Sequence, residues 1–279
     1  MRYGPPGIDN THFRFKLGRW PRWAPLSNRL TYSSARNGPP PLYWVAPDGH
    51  DEERLWDYDP NAFELPGDWS LDDRHFAFVR ITEKTQFDIW VLTLEDGRQA
   101  QEFLDEPYNE KKPAFHPSGN WIDYASDETG QYEIYVRWFP GGRERALVST
   151  EGGNDPMWDP SGKALYYGRG NTMMAVGVET EPSFSATQPE APFEGPYERN
   201  EWGTSYDVTT TPDGPKSIMI KLDQEATAVK QLNVILNRSE KLKRLVPPEE
   251  YRSDSLFLRD RQEISWTIWG PSVPQIWSL

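Results

Sequence analysis

Cysteine is absent from this 279-residue sequence, which excludes disulfides, thiolate metal sites and a cysteine nucleophile. Histidine is scarce, because only His12, His50, His75 and His116 occur, and so few scattered imidazoles do not favour a three-histidine zinc site. No stretch approaches the ~20 apolar residues of a membrane-spanning helix, and residues 1–20 lack the apolar run of a signal peptide. We therefore expect a soluble, cytoplasmic protein without membrane insertion.

Basic residues are fewer than acidic ones. The sequence has 30 Lys and Arg against 43 Asp and Glu, so its formal net charge is −13. Nucleic acids and anionic membranes are bound by basic surfaces, so neither is expected as a partner. A neutral or cationic partner, protein or small molecule, fits this charge, and so does a bound Ca²⁺ or another divalent cation.

Aromatic residues, proline and glycine are plentiful. Aromatic residues make up 14% of the sequence, with 13 Trp, and there are 26 Pro and 21 Gly. Aromatic rings suit the half-buried faces of strands, and proline and glycine supply frequent chain reversals. The composition predicts many short strands joined by tight turns.

One pattern recurs along the chain at intervals of 46, 46 and 43 residues, anchored at Trp23, Trp69, Phe115 and Trp158. Turn-forming residues follow each anchor, and apolar residues stand seven and nine positions after it, which is the alternation of a hairpin strand. A degenerate fifth copy begins at residues 206–208. The anchors and other rings at fixed offsets should pack between adjacent repeats, namely Trp69, Trp90, Trp158 and Tyr124.

Each repeat has room for four strands. Third strands are predicted at 42–45, 88–91, 133–136 and 231–234, and fourth strands end near Leu55, Leu104 and Val148. Four antiparallel strands in 40 to 50 residues are typical of a β-propeller blade, whereas a β-sandwich does not repeat one signature at a fixed period. The sequence therefore predicts a single all-β propeller domain over 1–279, with repeats at about 21–64, 66–111, 112–154, 155–204 and 205–246.

The chain ends could complete the ring. Phe13, Phe15 and Leu17 alternate as one strand, and Ile264, Trp266 and Ile268 alternate as another. Together they could form a sixth blade, which would remove exposed edge strands. Six blades are favoured over five, and 247–279 is either part of this closing blade or an atypical tail.

Three stretches carry a family resemblance: 113–119 (PAFHPSG), 124–130 (YASDETG) and 133–137 (EIYVR). They resemble the TolB-like, WD-repeat-like propellers, most closely the propeller domains of bacterial membrane-anchored Ser/Thr kinases and of prolyl-oligopeptidase-like proteins. The resemblance covers 21–246 and implies the fold rather than a function. It also implies a location that is often periplasmic or extracytoplasmic. The sequence departs from the pattern at 26–28 and after about Pro248.

Catalytic motifs are missing from the sequence. It has no Gly-x-Ser-x-Gly, no phosphate-binding glycine-rich loop before a helix and no His-Glu-x-x-His. His75 and His116 fall in the first hairpins of their repeats, where strand or turn positions explain them. No catalytic or metal-ligating residue can be assigned on this basis.

The predicted mouth of the propeller funnel is the remaining candidate site. Loops that lead into each new blade converge there on a rigid scaffold, beside the loops between second and third strands. We predict a ligand-binding cluster in which carboxylates approach one another and arginines neutralise part of the charge. Its members are Arg36, Asp59, Tyr108, Asn109, Glu110, Asp127, Asn154, Asp155, Arg199 and Glu201.

Two functions fit these residues. The first is a non-catalytic scaffold that recognises a protein or small ligand at its acidic, aromatic funnel mouth. The alternative is a hydrolase of esters, phosphoesters or glycosides that uses mouth carboxylates as acid and base, with or without a divalent metal.

Overall fold

Strands account for nearly all of the regular structure. The computed structural model describes residues 18–222 apart from 37, 58, 84–85, 105, 142–143 and 212–213, together with 266–270 and 273–277. This part of the chain contains no α-helix, and its one helical turn is a 3₁₀ segment at Glu95–Gly97. The repeat predicts nearly no helix outside 236–250, which the described residues confirm, and 236–250 itself lies outside them.

Three four-stranded antiparallel sheets follow one another, each in simple up-and-down order. The third strands lie where the repeat predicts them, and the first of them has the predicted bounds. The sheets are β1 (Gly18–Trp23), β2 (Leu30–Ser34), β3 (Leu42–Val45) and β4 (Glu53–Arg54); β5 (Phe63–Trp69), β6 (His75–Thr82), β7 (Gln86–Thr93) and β8 (Gln99–Glu102); and β9 (Glu110–Phe115), β10 (Trp121–Ser126), β11 (Glu133–Trp138) and β12 (Arg145–Leu147).

A fourth sheet and two hairpins complete the described structure. In the fourth sheet β13 (Asn154–Trp158), β14 (Ala164–Arg169) and β15 (Thr172–Glu179) are consecutive, and both β16 (Ser185–Ala186) and β17 (Glu190–Glu194) pair with β15. One hairpin joins β18 (Tyr206–Thr211) and β19 (Gly214–Met219), where the degenerate repeat begins. The other joins β20 (Trp266–Gly270) and β21 (Val273–Trp277).

The first strand of each of the four sheets contains a β-bulge. The register shifts just before the anchor aromatic in β1, β5, β9 and β13. Trp20, Lys112 and Asp155 hold equivalent places three residues before their anchors, and all three have left-handed φ values of 52°, 56° and 58°. A bulge turns a side chain away from the regular alternation of the strand, so these three residues are aimed differently from their neighbours.

The core lies between adjacent sheets rather than within one. Trp69 of the second sheet is 1% exposed, its ring lies 6.4 Å from that of Trp44 in the first sheet, and its Nε1 donates to Thr31 Oγ1 at 3.1 Å. His116 of the third sheet packs edge-on to Trp158 of the fourth, with 4.7 Å between ring centroids. These contacts confirm that the anchor rings pack between repeats.

Two further predicted core rings behave similarly. Tyr124 of the third sheet is buried in a cluster with Ile89 and Leu104 of the second repeat. Trp90 is half-buried and lies 6.3 Å from Trp56, which follows the first sheet. All four predicted rings therefore contact the neighbouring repeat.

The first strands lie side by side around a common axis. Contacts link β1 to β5, β5 to β9, β9 to β13 and β13 to β18, so each repeat turns its first strand inward. This order is that of propeller blades. The predicted strands at 13–17 and 231–234 lie outside the described residues, and six blades rather than five stays a prediction.

Candidate functional site

The inward-facing bulges bring an ion pair to the axis. Lys112 Nζ of the third blade lies 3.3 Å from Asp155 Oδ1 of the fourth, and the two side chains are only 11% and 5% exposed. Both residues stand at the equivalent bulge positions described above. The pair therefore joins two first strands where the blades meet.

Asp155 also holds the start of the fifth repeat. Its Oδ2 accepts a hydrogen bond from Ser205 N at 3.1 Å, and its carbonyl oxygen accepts one from Tyr206 Oη at 2.7 Å. One residue thus contacts the third, fourth and fifth repeats. Its position depends on this network, which makes Asp155 a structural centre of the axis.

A loop, here called the covering segment and comprising residues 198–205, crosses the axis before β18. Lys112 Nζ donates to Asn200 O at 2.6 Å, and Arg22 of the first blade donates to Thr204 Oγ1. A Cβ added at Gly203 would lie 2.8 Å from Trp20 Cδ1, so the segment runs close against β1. The covering segment therefore contacts the inner strands of blades on both sides of the axis.

The covering segment exposes aromatic and acidic side chains. Trp202 is 42% exposed, and its ring stacks on Phe87 of the second blade with 5.6 Å between centroids. Glu201 beside it is exposed. An exposed aromatic ring held in place by stacking is a common anchor for binding.

Beneath the covering segment the axis is rich in cations. Burial lowers the pKa of Lys112, the Asp155 carboxylate raises it, and the nearby Arg22 and Arg199 charges lower it. Burial likewise lowers the pKa of Lys111 to about 8, with the Lys112 charge acting in the same direction. Basic side chains thus accompany the carboxylates at the axis.

The predicted residues of the third blade come together. Asn109 donates to Asp127 twice, from its backbone N at 2.9 Å and from Nδ2 at 2.7 Å. Glu110 is 1% exposed, its Oε1 lies 3.5 Å from Ser126 Oγ, and its Oε2 has no hydrogen-bond partner in the described part of the chain. Burial, reinforced by the neighbouring Asp88 carboxylate, raises the pKa of Glu110 to about 8.

Two predicted members have partners in or beside the first blade instead. Arg36 pairs with Glu52 at 2.7 Å and lies over the Tyr43 ring, with 4.0 Å from Cζ to the centroid. Asp59 pairs with Arg80 of the second blade. These contacts place Asp59 with Arg80 rather than with Asp127.

Of the remaining predicted members, Tyr108 and Glu201 lie on loops, and Asn154 is the first residue of β13. Asn154 Oδ1 accepts from Asp155 N at 2.9 Å, and Tyr108 is half-buried. The Glu201 charge raises the pKa of Lys111, as do those of Asp127 and Asp155. Three of the predicted acids thus act electrostatically on a lysine that sequence reasoning did not select.

Two carboxyl groups, the half-buried Asp68 on β5 and the buried Asp123 on β10, bind neighbouring backbones. Asp68 Oδ2 of the second blade accepts from Phe115 N of the third at 3.2 Å, and Asp123 Oδ1 accepts from Ala114 N at 3.1 Å. Asp123 is fully buried, and its pKa is raised well above the usual value by burial first and by the Asp68 carboxylate second. These acids have structural roles that explain their burial.

Sequence reasoning missed Arg22, Lys111 and Lys112. A signal was present, because Lys112 and Asp155 stand directly before a proline at the same repeat position. Lysines on a strand are ordinarily predicted to face solvent, and only the bulge and the curvature of the ring turn these lysines inward. Among the described residues no three His, Asp or Glu side chains lie close enough together to hold a metal ion.

Comparison with known proteins gives one sequence relative and many similar folds. No protein-family model matches the chain. The uncharacterized protein Atu1656 of Agrobacterium fabrum is 31% identical over 100 residues, which are 36% of this chain and 33% of that protein. The match thus spans about a third of the relative's length.

Solved structures decide the fold. TolB from Acinetobacter baumannii superposes with a TM-score of 0.51 and 15% identity over 73% of this chain and 51% of that one. The fold of this chain is therefore a TolB-like β-propeller. The oligogalacturonate lyase of Vibrio parahaemolyticus, with a TM-score of 0.53 and 11% identity over 77% of this TolB-like chain and 61% of the lyase, shares the fold.

This TolB-like fold does not distinguish the two functions. Its neighbours include both TolB and an oligogalacturonate lyase, so the fold by itself assigns no role to this chain. In the described part of the chain no helix is long and apolar enough to cross a membrane.

Proposed function

We propose that the protein is a non-catalytic binding propeller that recognises a ligand, protein or small molecule, at its funnel mouth. The observation that carries this proposal is the covering segment, which crosses the axis and presents Trp202 on a Phe87 support with Glu201 alongside. Aromatic side chains that are exposed yet rigid supply binding area at low entropic cost.

The charged groups near the mouth support a scaffold. Lys112 and Asp155 neutralise each other, and Asp127 accepts two hydrogen bonds from Asn109. A general acid or base must reach the reacting group of a substrate, whereas these side chains hold inner strands and loops in place. Such fixed pairs pre-organise a binding surface and lower the cost of ordering it on binding.

The test is a thermal-shift screen of the purified protein against sugars, sugar acids, amino acids and short cationic peptides. We expect at least one class to raise the Tm saturably and Trp202→Ala to abolish that rise. Leu26→Ala is the matched control, because Leu26 is 71% exposed on a turn between β1 and β2, at the other end of the blade. Loss of the response in both variants would contradict a site at the mouth.

The hydrolase alternative is tested in parallel with chromogenic ester, phosphate and glycoside substrates, with and without a chelator. The proposal expects no turnover above the rate of buffer alone. Turnover that Asp127→Asn or Asp155→Asn abolishes in a folded variant would favour the alternative instead.

A further inference from the structure

The guanidinium of Arg199 is buried and forms no ion pair with any residue that the structure describes. The Nε, Nη1 and Nη2 atoms of its guanidinium are all buried, and none has a hydrogen-bond partner in the described part of the chain. A buried charge that lacks both a partner and hydrogen bonds is strongly unfavourable. Native proteins satisfy such groups with a side chain, an ordered water or a ligand.

The guanidinium lies in a fitted position rather than loosely on the surface. A Cβ added at Gly168 would lie 2.8 Å from both Cζ and Nη1 of Arg199, so the group rests against the backbone of β14 where glycine alone leaves room. Arg199 also acts electrostatically on two residues at the axis, because its charge lowers the pKa of Lys112 and of Tyr206. Arg199 therefore belongs to the axial group.

The neighbouring cations already use their donors. Arg22 Nε donates to Gly67 O at 2.6 Å and its Nη2 donates to Thr204. Lys112 is occupied by Asp155 and by Asn200 O. Lys112 thus pairs with the Asp155 carboxylate, whereas among the described residues no group accepts from Arg199, whose donors remain for a further anion.

We propose that Arg199 anchors an anion site at the propeller axis that takes the carboxylate group of a small ligand. This inference rests on the proposed function, since the ligand enters by the same mouth. A planar guanidinium matches the two oxygens of a carboxylate with parallel hydrogen bonds. The charge of Asp155, which is 3% exposed nearby, favours a singly charged group over a phosphate dianion.

Entry requires the covering segment to shift. Arg199 belongs to this segment, and Asn200, its next residue, fixes the following turn by accepting hydrogen bonds from Trp202 N at 2.9 Å and Gly203 N at 3.0 Å. Because Trp202 lies on the same turn, a ligand that reaches Arg199 changes the environment of the Trp202 ring.

Calorimetric titration at constant ionic strength tests the site, with sodium acetate and sodium D-glucuronate as probes and D-glucose and inorganic phosphate as comparisons. We expect saturable binding of the carboxylates, at least about ten-fold weaker binding of phosphate, and none of glucose. Arg199→Gln should weaken carboxylate binding at least about ten-fold, and Arg199→Lys should weaken it several-fold, because the lysine keeps the charge and loses the planar fork.

Arg169→Gln is the matched control. Arg169 ends β14 next to Gly168, but its side chain is 36% exposed and pairs with Glu151 at 2.5 Å, so its loss should leave carboxylate binding unchanged. Gly168→Ala is a second probe, because its Cβ would displace the guanidinium without removing the charge, and we expect it to weaken binding as well. Circular dichroism verifies the fold of each variant.

The outcomes separate this inference from the function on which it rests. Absence of carboxylate binding to the wild type, or equal binding to folded Arg199→Gln, would overturn the anion site and leave water as the partner of Arg199. If Trp202→Ala still abolishes the response to some other probe, the mouth remains a binding site. If no probe binds even to the wild-type protein, both proposals fail.

Discussion

Replacing Asp155 by asparagine perturbs the centre of the axial network in a defined way. Asparagine keeps an oxygen that can accept from Ser205 N, and it tolerates the left-handed φ of 58° at this position. What it removes is the charge that pairs with Lys112, whose side chain is 11% exposed. Removal of one partner of a buried ion pair costs about 3–5 kcal/mol.

We expect Asp155→Asn to lower the free energy of unfolding by about 3 kcal/mol at pH 7, the lower end of that range, because the hydrogen bond to Ser205 survives. Urea denaturation measures the change. The control is Glu128→Gln in the Arg145–Glu128 pair, whose side chains are 35% and 27% exposed. Such a surface pair should be worth less than about 1 kcal/mol.

The pH dependence of this loss tests its cause. Burial already lowers the folded-state pKa of Lys112, and the Asp155 carboxylate opposes that shift, so the pKa falls further in Asp155→Asn. When a lysine has a lower pKa in the folded state than in the unfolded state, stability rises as the pH increases from the folded towards the unfolded pKa. The variant should regain stability between pH 7 and pH 10 more than the wild type does. A loss below about 1 kcal/mol, or a loss that is the same at both pH values, would refute this reasoning.

Three further predictions concern the core and the buried acids. Trp69→Ala should cost about 3–5 kcal/mol in urea denaturation, because the ring is 1% exposed between two blades; normal stability would show that the repeat is misread. Burial and the Asp88 carboxylate raise the folded pKa of Glu110 to about 8, so the wild type should lose stability from pH 5 to pH 8. Glu110→Gln should remove this part of the loss and leave the stability at pH 5 nearly unchanged. An equal change of stability with pH in the variant and the wild type would contradict this prediction. Gly162→Ala should lower the Tm by several degrees, because the added Cβ would lie 2.5 Å from His116 Nε2 at a φ of +73°; an unchanged Tm would contradict the close packing between these blades.

The fold could be predicted because its signals are local and repeated. The third strand at Leu42–Val45 lies where the pattern predicts it, since alternation fixes the strand and proline or glycine turns fix its ends. The burial of Trp69 followed from the same repeat, because equivalent rings must pack against equivalent neighbours. Local periodicity does not fix how many blades close the ring, so the blade number stays a prediction.

The site was harder to predict because it depends on non-local geometry. Lys112 looks like a solvent-facing strand residue, and only the bulge in β9 and the approach of β13 turn it towards Asp155. Arg36 was predicted for the mouth from its loop between the second and third strands, and its pairing with Glu52, just before β4, could not be read from that position. The path of the covering segment over the axis is set by contacts with β1 and β9, which no local pattern encodes.

The central claim is that ligands enter at the mouth beneath the covering segment. The most direct test is ¹⁹F NMR of protein labelled with 5-fluorotryptophan, with the Trp202 resonance assigned among the 13 tryptophans by Trp202→Phe. On titration with sodium D-glucuronate we expect a saturable change in the Trp202 resonance of the wild type that Arg199→Gln abolishes. A Trp202 resonance that is unmoved while other tryptophans respond would contradict the account.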